Sequence, residues 1–297
     1  MDYVISSQGL TRRYGTRTVV DSLDLLVPAQ SITGFLGPNG AGKTTTICLL
    51  LGLLKAQSGT CEVLGLPPGQ SAALAQIGAL VEGPSLYDHL TGRENLEITR
   101  LMRGVEKSEV DRVLSLVDLA RDARRPVREY SLGMRQRLGM ALALMGQPRL
   151  LILDEPTNGL DPSGILDMRE LVRNLPRETG ASVFLSSHLL AEVEQVAENL
   201  VVIHKGRLRY QGPTEDLGSP GQGGLVLRVG NPGEAQAAIM ALGFPVVMED
   251  DSLWVQADAE EAPRIASSIV GAGCALYELA PLRVNLETRF LDLLVDK

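Results

Sequence analysis

The segment GFLGPNGAGKTTT, Gly34 to Thr46, constrains the fold of this chain more than any other stretch. Gly37, Gly42, Lys43 and Thr44 fit G-x-x-x-x-G-K-[ST], with Pro38, Asn39, Gly40 and Ala41 filling the span between the outer glycines. In a loop of this pattern backbone N–H groups cradle phosphates, the lysine reaches the outer phosphates and the hydroxyl meets magnesium. Glycine lets the backbone curl closely around an anion, and a helix beginning after Gly42 points its positive end at the same charge. At average residue usage the four fixed positions match by chance in roughly one chain of this length in a hundred. Context narrows that further: SITGFL, Ser31 to Leu36, reads as a short buried strand entering the loop, and TTTICLLLGLL reads as an apolar-faced helix leaving it. Strand, glycine turn and helix together predict nucleotide phosphate binding on an α/β fold.

The rest of the chain supports that class. Leu150 to Leu153, Val183 to Leu185 and Leu200 to Ile203 are short apolar runs alternating with helical patterns, which predicts a largely parallel sheet. Residues 1 to about 30 alternate as strands do, with Leu23, Leu25 and Val27 followed by Pro28, and predict a small antiparallel sheet ahead of the loop. Residues 86 to 146 show helical periodicity only, an inserted helical subdomain. GPTEDLGSPGQGG, Gly212 to Gly224, concentrates Gly, Pro and Ser and reads as a linker. The runs after it follow a β-α-β-β-α-β order, a ferredoxin-like unit closed by the helix LETRFLDLLVD. The expected domains are residues 1–217, a linker at 218–224, and a small α+β domain at 225–297.

Length and charge exclude several classes. The 297 residues accommodate two domains with a sizeable core. The N-terminus lacks a basic segment followed by an apolar one, and no apolar run spans a bilayer, so a soluble, cytoplasmic chain is expected. Cys48, Cys61 and Cys274 are far apart without metal-like spacing, so free thiols are expected. A net charge of −8 gives no footprint for nucleic acid, and Arg121, Arg124, Arg125 and Arg128 read as one solvated basic loop.

Two further stretches define the chemistry. RLLILDEP, Arg149 to Pro156, is a buried strand delivering Asp154 and Glu155 to its C-terminal edge, where ligands bind in open α/β sheets. Adjacent side chains at a strand end point differently, so Asp154 can position magnesium while Glu155 sits where water attacks a terminal phosphate. EYSLGMRQRLGMALAL, Glu129 to Leu144, sets Ser131 and Gly133 just before a helix, a second N-terminus suited to an anion.

With these motifs in this order, residues 1 to about 217 resemble the ATP-binding subunit of ABC transporters. GPNGAGKTT looks like the Walker A, LLILDEP the Walker B, YSLGM a variant of the LSGGQ signature and NGLDP the D-loop. His188 matches the switch histidine and Tyr14, in RRYG, the aromatic A-loop position. The resemblance implies the P-loop NTPase fold of the ABC cassette and two ATP molecules sandwiched between two head-to-tail subunits, a homodimer or a pair with a second ATPase. It implies that Tyr14 stacks on adenine, Lys43 pairs the outer phosphates, Thr45 adds a phosphate contact, and Thr44 and Asp154 hold magnesium. Glu155 then orients or deprotonates water, and His188 contacts the terminal phosphate. Ser131 and Gly133 serve a partner's nucleotide, and Asp161 couples the two sites. By propensity alone Tyr14 also suits core covering, His188 a helix start and Asp161 a turn before Pro162.

Leu132 and Met134 depart from the usual glycine and glutamine of the signature, and Glu82 stands where the family has the Q-loop glutamine. The Glu82 carboxylate favours magnesium and repels phosphate oxygens. Glu82 with YSLGM resembles the branch that exports bacitracin or protects producers from lantibiotics. The implied partner is an integral-membrane permease, with the ATPase at the inner face of the membrane and no nucleic acid involved. The alternatives are an importer ATPase, a soluble ABC ATPase on ribosomes or DNA, and a small-molecule P-loop kinase, which would not explain Ser131, Asp161 and His188 together.

Overall fold

The structure is a computed structural model and describes residues 3–218, 224–249, 252–281 and 286–294. Its order begins β1 (Tyr3–Tyr14), β2 (Arg17–Pro28), β3 (Ile32–Leu36), α1 (Lys43–Leu50), β4 (Ser58–Val63), α2 (Ser71–Leu74) and β5 (Ile77–Leu80). The helices α3 (Gly92–Arg103), α4 (Ser108–Leu116) and α5 (Leu132–Leu144) follow without an intervening strand. The chain then runs through β6 (Leu150–Asp154), α6 (Pro162–Thr179), β7 (Ser182–Ser187), α7 (Leu190–Val193), β8 (Asn199–His204), β9 (Arg207–Pro213) and α8 (Thr214–Gly218). It ends with β10 (Leu225–Val229), α9 (Pro232–Ala241), β11 (Val246–Glu249), β12 (Ser252–Val255), α10 (Ala262–Gly271), β13 (Leu276–Pro281) and α11 (Leu286–Leu294).

Two compact units result, the larger built on Met1–Thr214 and the smaller on Glu215–Asp292. In the larger, six strands lie in the order β5-β6-β7-β3-β8-β9, parallel except for β9 against β8. Every residue of β3, β6 and β7 is buried, which is why these strands read as continuous apolar runs rather than as alternation. In the antiparallel sheet β2-β1-β4, β2 alternates instead from Leu23 to Val27, and Ile5, Leu10, Leu23, Leu25 and Val27 share one core with Phe35, Ile47, Ile152 and Phe184. The Phe35 and Phe184 rings pack with centroids 5.0 Å apart. Burying a side chain of this size contributes roughly 1.5–3 kcal/mol, so this core holds the phosphate loop's strand and helix against both sheets.

The smaller unit orders its antiparallel strands β11-β12-β10-β13. Leu225, Leu227, Leu253 and Val255 of the sheet pack with Ile239 of α9 and with Ile265 and Ile269 of α10. Two differences from the sequence pattern stand out. β5 is a strand of the main sheet that its short run IGAL did not announce. The breaker-rich stretch from Gly212 continues β9 and then turns into α8, because the ladder to β8 outweighs local propensity at Gly212 and Pro213. Of the expected linker at 218–224, residues 219–223 lie outside the described residues.

Local chemistry fixes the helical insertion. Thr91 and Glu94 form a reciprocal capping box at α3, and the Thr91 hydrogen bonds hold the Glu94 carboxyl below its usual range. The buried Glu109 of α4 gathers Arg112 (2.7 and 2.8 Å), the Gly146 N–H (3.1 Å) and the Gln147 amide (2.9 Å), so it ties α4 to the turn after α5. These donors, Arg112 first, lower its pKa to about 2. A carboxylate depressed in the fold stabilises above its unfolded pKa, and that contribution is lost as pH falls from about 4.5 towards 2. Glu109→Ala is expected to cost about 2 kcal/mol locally at pH 7, read as at least tenfold faster amide exchange at Gly146. The gap from wild type should close as pH approaches 2, and equal exchange at pH 7 would refute the role.

Candidate active site

β3 delivers the loop Gly37–Gly42 to the C-terminal edge of the sheet between β7 and β8, and α1 leaves from it. Gly42 adopts φ +108°, and a Cβ there would lie 2.6 Å from the Val19 carbonyl oxygen of β2. The β8–β9 turn approaches the same oxygen: a Cβ on Gly206 (φ +79°) would lie 2.4 Å from it. Gly206 donates its N–H to the Ala41 carbonyl and accepts from the Asp21 N–H, both at 2.9 Å, while Arg207 pairs with Asp21 at 2.8 Å. Val19 is thereby pressed between loop and turn, and only glycine fits on either side of it. The start of α1 has no side-chain cap, whereas Thr91, Ser131 and Asp161 cap α3, α5 and α6. Its first-turn N–H groups are therefore suited to an external anion.

The side chains that follow converge. Lys43, 5% exposed, donates to the Gly37 carbonyl at 2.8 Å and pairs with Glu155 Oε1 at 3.1 Å. Thr44 donates its hydroxyl to Asp154 Oδ2 at 2.8 Å. Asp154 is the last residue of β6, and Glu155 turns out of the strand at φ +46°, a conformation uncommon for a non-glycine residue. That turn separates the two carboxylates. The Ser186 hydroxyl of β7 secures the Asp154 carboxylate and the Glu155 main chain, donating to Asp154 Oδ1 at 2.5 Å and accepting the Glu155 N–H at 3.1 Å. Glu155 Oε2 meets His188 Nδ1 at 3.0 Å. A cation, two carboxylates, a hydroxyl and an imidazole thus face one phosphate-sized loop, an arrangement able to grip a nucleotide and orient a nucleophile against it.

The remaining sequence candidates fall outside these contacts. Glu82 is exposed with φ +56° and makes no hydrogen bond or ion pair to the described residues. Its field nonetheless reaches α1: burial first, then the charges of Glu82 and Asp154, push the Cys48 thiol upward. Tyr14 is 46% exposed, with the Arg12 guanidinium 4.8 Å from its ring centroid. Thr45 is half-buried in the first turn of α1. Ser131 is the N-cap of α5, accepting the Met134 N–H at 3.2 Å, and Gly133 lies inside the first turn rather than ahead of it. Asp161 caps α6 by accepting the Gly164 N–H at 2.8 Å. None of Tyr14, Ser131, Gly133 and Asp161 bonds to the loop or its carboxylates. Sequence reading missed Ser186 and Gly206, whose roles arise from strand neighbours with no local signal.

Residues 20–158 match the family model described as ABC transporter. The chain is 38% identical over 301 residues to the bacitracin transport ATP-binding protein BcrA of Bacillus licheniformis, covering 99% of this chain and 98% of that one. It is 39% identical over 205 residues to the lantibiotic transport ATP-binding protein SrtF of Streptococcus pyogenes, covering 69% of this chain and 89% of the relative. Among solved structures, an ATP-binding subunit of an ABC transporter superposes with a TM-score of 0.64 at 28% identity, over 72% of this chain and 91% of that one. Loop, paired carboxylates, histidine and full-length kinship agree: the chain belongs to the ATP-binding, ATP-hydrolysing subunits of ABC transporters.

Proposed function

We propose that this ATPase powers a separate integral-membrane permease that exports an antibiotic peptide or similar compound. The observation that carries the chemistry is the Lys43–Glu155–His188 cluster beside the Thr44–Asp154 pair. Lys43 pairs the outer phosphates, Thr45 adds a contact, and Tyr14 stacks on adenine through the ring face opposite Arg12. Glu155 orients or deprotonates a water that attacks the terminal phosphorus, whose bond to the bridging oxygen breaks to release ADP. His188 holds the terminal phosphate. Thr44 and Asp154, with Glu82 nearby, suit magnesium, which takes few protein ligands alongside substrate phosphates and supplies charge neutralisation when bound. Among the described residues no cluster of three or more His, Cys, Asp or Glu offers a fuller cage.

Ser131, Gly133 and Asp161, which make no bond to this chain's own loop among the described residues, serve the nucleotide of a second subunit facing head to tail. Export is supported by kinship with proteins named for bacitracin and lantibiotic transport. A permease partner is supported by kinship with relatives named as ATP-binding proteins of transport systems; among the described residues no helix is long and apolar enough to cross a membrane. The permease docks near Gly83 to Leu90, beside a groove lined by Leu53, Leu74, Pro84 and Arg103, and holds the ATPase at the cytoplasmic face. Glu82 opens that segment and links the metal site to the permease.

Glu155→Gln keeps size and hydrogen bonding but removes the base. It should bind ATP, lose about a hundredfold or more in kcat, and accumulate as a dimer with magnesium and ATP at micromolar protein. A monomer on sizing under those conditions would count against the composite sites. Glu82→Gln should alter the rate increase produced by the reconstituted permease; turnover and stimulation equal to wild type would make the charge irrelevant.

A further inference from the structure

Glu192 lies outside every motif considered above, yet it joins the two segments that carry Glu155 and His188. It belongs to the short helix α7 and is half-buried. Its Oε2 accepts two hydroxyl hydrogen bonds, from Thr157 Oγ1 at 2.8 Å and from Ser187 Oγ at 3.0 Å. Thr157 stands two residues after Glu155, and Ser187 immediately precedes His188. The Ser187 oxygen also accepts the Leu189 N–H at 3.0 Å, so the histidine is bracketed on both sides by one hydroxyl group. The carboxylate borders a small cavity walled by Met168, Val172, Leu185 and Val196, with Arg169 the cation on its lining. In such surroundings charge-assisted hydrogen bonds are stronger than in water, and leaving a hydroxyl unpaired is costly.

The geometry explains why the pair needs such a tie. Glu155 and His188 sit on the ends of neighbouring parallel strands, β6 and β7, just beyond the last ladder bonds. Ser186 fixes the main chain of Glu155, but the path through Thr157 and the one into His188 leave the sheet separately. Among the described residues, the Glu192 oxygen is the acceptor on which both hydroxyls meet. We propose that Glu192 is a positioning residue for hydrolysis, holding the water-orienting carboxylate and the phosphate-facing histidine in mutual register. The inference rests on the roles given above to Glu155 and His188. Because the Thr157 segment continues to Asp161, the same tie carries a displacement of that loop to His188.

The test compares full-length Glu192→Ala, Glu192→Gln, Thr157→Val and Glu155→Gln proteins with wild type, with Mg-ATP, measuring nucleotide Kd and steady-state kcat and KM. Loss of positioning should cost Glu192→Ala about tenfold or more in kcat, with Kd for ATP within about twofold because the loop, Lys43 and Thr44 are untouched. Glu192→Gln should recover to within about threefold of wild type, since its amide oxygen accepts both hydroxyls. Thr157→Val, which leaves Glu192 in place, should lower kcat severalfold and so reports even if Glu192→Ala folds poorly. Wild-type kcat in Glu192→Ala, a loss confined to Kd, or a glutamine variant as poor as alanine would each overturn the inference. Normal turnover by Glu155→Gln would instead remove the hydrolytic reading beneath it, whereas an inactive Glu155→Gln beside a normal Glu192→Ala would remove this inference alone.

Discussion

A buried ammonium organises the site. Lys43 is 5% exposed, and a charge that far from water is tolerated only where oxygens and an opposite charge surround it. The Gly37 and Pro38 carbonyls and the Glu155 carboxylate supply that shell. The loop must therefore fold back over its own lysine, and β6 must end beside β3's helix. Glu155 must leave its strand in a left-handed turn to reach the ammonium. Phosphate oxygens can replace these partners without uncovering the charge, which suits the same cluster to the nucleotide-gripping role proposed for it.

Around that charge the sheet acts as a positioning frame. β3, β6 and β7 are parallel neighbours, so their C-terminal ends present the loop, the Asp154–Glu155 pair and His188 along one edge. Ser186 links two of these ends, and the Gly206 turn presses β2 onto the loop from the other side. Tyr14 rides at the end of the hairpin that β2 completes, so a shift of Val19 would move the aromatic ring relative to the phosphate loop. The smaller unit contributes a packed core among its described residues but no titratable cluster of this kind.

Local signals made most of this legible. The phosphate loop between strand and helix, the buried strand ending in two carboxylates and the capped start of α5 are contiguous stretches whose residue types state their local structure. β5 was not legible because four apolar residues, IGAL, fit a strand or a buried helix turn equally well. Gly212 and Pro213 misled because a ladder to β8 overrides their breaking tendency. Ser186, Gly206 and Glu192 were invisible for another reason: a serine in a strand, a glycine in a turn and a glutamate in a helix are common, and only their tertiary neighbours give them work. Ser131, Gly133 and Asp161 were named by pattern, and within one chain they serve as caps or cap neighbours.

The central claim is that ATP-driven closure of this chain works on a membrane protein. It is tested most directly by expressing tagged Glu155→Gln protein in its native host, solubilising membranes in mild detergent with magnesium and ATP, and identifying what is captured. A polytopic membrane protein in stoichiometric amount is the predicted result. Capture of ribosomes or DNA-bound proteins, or of no membrane protein at all, would contradict the claim while leaving the nucleotide site as described.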